Sequence, residues 1–239
     1  MRKRNLMILI LLLTIAVIRL GKRYSLAGMP DLLTQHSTVE THSIQQALPW
    51  GELWEKEPPR DDPPGGSRGD ICPIAPAIPV EIRVIWSTRP LFLWRGSMGR
   101  LEVRPQGSQQ VLWSQTVTEE QSSLLYNGEA LQPGSSYDWV SFDERDRPQF
   151  RVTFQVMGGE ERDRISADLT RLQTQLQQEG ATAEKIAYTK ANYLAENQLW
   201  SDVLQQAYGV KNPSEDLVQF IQAIPEQFCP LSGVRGSKR

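Results

Sequence analysis

The chain has 239 residues, 39% hydrophobic and 23% charged, with two Cys, two His and a net charge of −2, enough for one or two domains around a sizeable core. Its first 27 residues hold six basic groups and no acid, so the rest carries 20 basic against 28 acidic residues, a balance that repels polyphosphate and sets nucleic-acid binding aside. Two cysteines cannot make a four-cysteine zinc site, and His36 and His42 lie far from them in sequence, so no metal or other cofactor is expected.

At the amino terminus, Arg2-Lys3-Arg4 precedes thirteen uncharged residues, Leu6 to Ile18, before Arg19. A basic stretch followed by a short apolar run is the layout of an export signal, and thirteen residues fall short of the roughly 20 that cross a bilayer. Residues 1–27 therefore read as a signal peptide or an N-terminal membrane anchor. Ser25-Leu26-Ala27 is a small-x-small cleavage pattern, but Arg19, Lys22 and Arg23 stand between it and the apolar run. Three basic residues flank each side, so charge does not fix orientation. The expected place is the periplasm, or the inner membrane facing it with contact through the apolar segment; a cytoplasmic-facing anchor is the alternative.

Residues 28–70 carry six Pro and five Gly and read as a disordered linker. His36 and His42 are solvated linker residues on this reading, and Arg68-Gly69-Asp70 is a chance tripeptide. Cys72 opens the folded part and Cys229 nearly closes it. In an oxidising space the pair would bridge the ends of the body, worth up to about 5 kcal/mol by chain entropy. In a reducing space both would be inert thiols.

Over 71–157 the apolar period is two. Val80, Ile82, Val84 and Trp86 alternate with Glu81, Arg83 and Ile85, and Phe150, Val152, Phe154 and Val156 with Arg151, Thr153 and Gln155, and five further short runs lie between them. Seven short strands in this space predict an antiparallel immunoglobulin-like β-sandwich. Leu131-Gln132-Pro133-Gly134-Ser135-Ser136-Tyr137 is similar to the turn before the sixth strand of such sandwiches, and makes Tyr137 a candidate tyrosine corner. Trp86, Trp94 and Trp113 are read as packing residues.

Over 160–229 the period becomes helical, giving four helices and an α+β class overall. Ile165, Leu169, Leu172 and Leu176 line the first; Thr182 caps the second, which carries Ile186, Ala187, Ala191 and Leu194; Trp200, Val203 and Leu204 lie on the third; Ser214 caps the fourth. The hairpin from Ala191 to Leu204 resembles a tetratricopeptide unit, with Gln198 at the turn where that repeat has Gly. One unit does not make a solenoid, so these helices are expected to dock on the sandwich. Residues 230–239 read as a disordered basic tail.

Four segments in order, Arg68-Gly69-Asp70-Ile71-Cys72-Pro73, Arg89-Pro90-Leu91-Phe92-Leu93-Trp94, Tyr137-Asp138-Trp139 and Leu199-Trp200-Ser201-Asp202, resemble the cyanobacterial "domain of unknown function 928" family. The resemblance implies an export signal, a β-rich middle and a helical end. It transfers no catalytic or binding residue.

No His follows His42, which leaves the folded part without a Ser-His or Cys-His pair. Gly96-Ser97-Met98-Gly99 lacks the Lys of a phosphate loop. Asp143, Glu144 and Asp146 are the candidate carboxylates of an envelope glycan- or peptidoglycan-acting enzyme, but their interleaving with Arg145 and Arg147 suits a solvated hairpin tip. The sequence therefore predicts a non-catalytic binding or scaffolding module. A protein partner, or alternatively an envelope polymer, is expected at the sandwich edge or the sandwich–helix junction.

Overall fold

Every residue of Leu91–Trp94 is apolar, and all four are buried. A strand alternates its side chains between two faces, so one apolar on both sides must lie between two packed layers. In the computed structural model, which describes residues 47–56, 71–77 and 83–229, that is its position. Leu91 and Leu93 join a core made largely of helix residues, while Phe92 and Trp94 join a second core made of sheet residues.

The strands are β1 (Cys72–Ala75), β2 (Val84–Ile85), β3 (Leu91–Arg95), β4 (Arg100–Pro105), β5 (Trp113–Thr116), β6 (Ser123–Leu125), β7 (Ser136–Phe142) and β8 (Pro148–Val156). They form a three-stranded sheet in the order β1-β3-β6 and a five-stranded sheet in the order β2-β8-β7-β4-β5. Neither closes into a barrel. Phe92 meets Trp139 with ring centroids 5.0 Å apart, so the two sheets share one core. The helical layer contains α1 (Gly159–Gln178), α2 (Ala183–Glu196), α3 (Trp200–Tyr208) and α4 (Glu215–Phe228), preceded in the chain by a 3₁₀ helix, Trp50–Lys56. The molecule is mixed α+β, stacked as five-stranded sheet, three-stranded sheet and helices.

Three expectations need correction. Eight strands, not seven, occur among the described residues. The additional one, β1, begins Cys72-Pro73; Pro cannot donate to a ladder, and an edge strand tolerates that loss. The sheets are not wholly antiparallel, because β2 runs parallel to β8, with Val84 opposite Gln155; periodicity reports which face a residue occupies and carries no direction. The span 28–70 is not all linker, since Trp50 and Leu53 are fully buried in the helical core. Trp50, Leu53 and Trp54 hold a helical i, i+3, i+4 spacing over a single turn, too short to register as a period. The presumed leader 1–27, His36, His42, Arg68-Gly69-Asp70 and the tail 230–239 lie outside the described residues. Among the described residues no helix is long and apolar enough to cross a membrane.

Local chemistry sets the element ends. Thr182 Oγ1 accepts from Lys185 N at 3.1 Å and Ser214 Oγ from Leu217 N at 3.3 Å, each capping its helix. Gly158 begins α1 where a Cβ would come within 2.8 Å of the Gly134 backbone, so only glycine lets the two segments approach. Cys72 and Cys229 form a disulfide, with Cα atoms 6.2 Å apart, that ties β1 to the end of α4.

Candidate functional site

Where the helical layer passes the free edge of β6, it leaves a groove of about 800 Å³. One wall is the α1–α2 pair and the other is the end of α3 with the loop to Asn212. Leu91, Leu125, Ile186 and Val210 give it apolar surface. Leu125 is 53% exposed, the largest exposure among the bulky apolar residues described. Ile186 is half-buried and stands apart from the helical core. Such an opening, apolar with a few polar groups converging on it, has the character of a binding site.

The polar groups come from three helices, α1, α2 and α3. Lys190 Nζ on α2 donates to Gln173 Oε1 on α1 at 3.4 Å and has no ion pair among the described residues. Burial pulls its pKa below the ordinary lysine value, since desolvation disfavours the ammonium. Tyr208, near the end of α3, lines the same groove as Lys190. Burial pushes the Tyr208 hydroxyl up to about 12, and it has no hydrogen-bond partner among the described residues. The side chains of Gln177, Gln206 and Asn212 also line the groove without a hydrogen-bond partner among the described residues. The one carboxylate at its border, Glu184, is already occupied. It accepts from Trp50 Nε1 at 3.0 Å, Ser214 N at 2.9 Å and Ser214 Oγ at 2.6 Å.

Asp202, in the first turn of α3, is the other buried carboxylate of the helical layer. Its two oxygens accept from Trp86 N at 2.7 Å and Ser87 N at 2.8 Å, which fixes the segment leading into β3. Burial outweighs those two bonds and raises its pKa to about 6. Arg162 closes the same junction by donating to the Trp86 carbonyl and lying 5.6 Å from the Trp86 ring centroid. Both carboxylates thus hold segments of the chain together.

The residues singled out from sequence lie elsewhere. Tyr137 Oη accepts from Gln132 N at 2.8 Å, across the turn where Gly134 takes φ +79°. Asp143, Glu144 and Asp146 do form the β7–β8 tip. Asp143 accepts from the backbone N–H of Arg147 and of Arg145, and the Arg147 N–H is foremost in holding its carboxyl below the usual range. Asp146 pairs with Arg100 at 2.5 Å. A catalytic acid needs the opposite shift. Trp86 caps the α1–α3 junction, and Trp94 and Trp113 pack with the sheets. Among the described residues no group of three or more His, Cys, Asp or Glu is placed to hold a metal.

Sequence reasoning missed Lys190, Tyr208, Glu184 and Asp202. Lys190 and Tyr208 look like ordinary surface positions in the pattern. Glu184 and Asp202 carry a weak signal, each an acid in the first turn of a helix, which also describes a common solvated residue near a helix dipole. No protein-family model, curated protein or solved structure matches the chain.

Proposed function

We propose that this chain is a membrane-tethered or exported cell-envelope protein that acts as a non-catalytic binding module and holds a protein partner in the groove between α1, α2, α3 and the β6 edge. The observation that carries this reading is the groove itself: exposed apolar surface at a junction of layers, joined by polar side chains with unused hydrogen-bonding capacity. The Cys72–Cys229 bond supports an oxidising compartment, where such bonds persist, and the basic-apolar leader supports delivery there. The Tyr137–Gln132 bond supports an immunoglobulin-like origin for the paired sheets, and the α2–α3 hairpin a tetratricopeptide-like one. The similarity to the cyanobacterial family rests on its four short segments. A carboxylate enzyme has weaker support, because the buried acids are engaged and the tip acids face solvent.

The test is affinity capture by the full-length protein from its native membranes, alongside Leu125→Glu and Ile186→Glu. Both positions lie outside the packed cores, so each variant should keep the wild-type near-ultraviolet circular dichroism. A partner retained by the wild type and lost from both variants is expected. The same proteins retained by all three would contradict the proposal.

A further inference from the structure

The groove's charge is opposite to that of the body around it. Past residue 27 the chain is acidic, yet the groove is lined by Lys190 and Lys211 and by one acid, Glu184, whose oxygens are taken by Trp50 and Ser214. An ammonium withdrawn from water is costly unless an anion joins it. Lys190 has only a neutral amide at 3.4 Å and two donor positions unused. The Tyr208 hydroxyl on the neighbouring helix, half-buried and lining the same groove, has a proton to donate and no acceptor among the described residues. Two partly desolvated donors lining one groove complement a carboxylate.

The remaining lining says what carries that carboxylate. Gln177 and Gln206 each offer a donor and an acceptor, the pairing a peptide group requires. Leu125 stands on β6, which has no neighbouring strand on its outer edge among the described residues, so an added strand would find main-chain partners there. Apolar positions at Leu125, Ile186 and Val210 suit alternate side chains of an extended chain. Resting on the binding reading above, we infer that the groove accepts an extended acidic peptide whose carboxylate is received by the Lys190 ammonium and the Tyr208 hydroxyl.

The measurement is fluorescence anisotropy with full-length protein in lipid nanodiscs. The probes are a labelled nonapeptide of alternating Leu and Glu, its Leu–Gln counterpart, and labelled polygalacturonate as a carboxylate on a different polymer. A charge-assisted bond in a sheltered site predicts about tenfold or greater preference for the Glu peptide over the Gln peptide. K190M should abolish that preference. K190R should retain most of it, and Y208F should lower it several-fold. Equal binding of both peptides, weakened alike by L125E, would overturn the charge assignment and leave the groove as a binding site. No binding, or binding indifferent to L125E, would overturn both. Tighter binding of polygalacturonate than of the Glu peptide would overturn the peptide assignment.

Discussion

Asp202 shows how one side chain can hold two layers together at a cost that depends on pH. Its carboxylate is 2% exposed and bonded to two backbone N–H groups from the segment before β3. Burial raises its folded pKa to about 6 from an ordinary 3.8, so the folded chain holds this proton more tightly than the unfolded chain does. The stability gained that way is complete below about pH 4 and is lost as pH climbs through about 6, with a full span of about 3 kcal/mol. Urea titrations of wild type and Asp202→Asn across pH 4 to 7.5 should therefore show wild-type stability falling relative to the variant as pH rises; a constant gap would contradict the burial account. Tyr137→Phe removes only the hydroxyl that meets Gln132 N and should cost about 1 kcal/mol, read as a lower urea midpoint at unchanged slope. Gln198 holds φ +58° at the α2–α3 turn, a conformation glycine adopts freely, so Gln198→Gly should raise stability by up to about 1 kcal/mol in the same titration. Of these residues, Tyr137 was legible in the sequence because the Pro-Gly turn before it restricts the local chain. Asp202 was not, because its partners are 115 and 116 residues away in sequence.

At the level of elements, what could be read was what repeats. The alternation at Phe150–Val156 and the 3.6-residue spacing in α1 to α4 each extend over several residues, and those elements stand where the pattern places them. Short or irregular pieces gave too few residues to show a period. The 3₁₀ helix Trp50–Lys56 is a seven-residue piece of chain held by distant groups: Trp50 Nε1 on Glu184, Trp54 stacked 4.5 Å from Phe220, and Lys56 on Glu196 at 2.7 Å. Of these the Glu184 contact is the buried one, and the carboxylate also receives the two Ser214 donors that begin α4. Glu184→Ala would orphan three donors at once and should destabilise the protein by about 3 kcal/mol. Hydrogen exchange should then quicken in 50–56 and in the first turn of α4 before it changes in β7 and β8. Uniform acceleration would show that the clamp is not local. The candidate groove was illegible because it is assembled from β3, β6, three helices and the loop after α3, segments that are far apart in sequence.

Across the whole molecule, the disulfide links residues 157 apart in sequence and joins the first strand to the last helix. The loop is long, so removing it through the paired change Cys72→Ala and Cys229→Ala should cost about 3 to 5 kcal/mol. The helical layer bears on only one side of the three-stranded sheet and does not cover the end at β6, and that incomplete cover is where the groove lies. The binding role rests on this feature, and in situ photocrosslinking examines it most directly. Full-length protein carrying a photoreactive residue at Gln206, inside the groove, is compared with protein carrying it at Gln115, on the exposed β5 edge. Crosslinking to a discrete protein partner from Gln206 and not from Gln115 is the predicted result. Identical adducts from both positions, or none from Gln206, would contradict it.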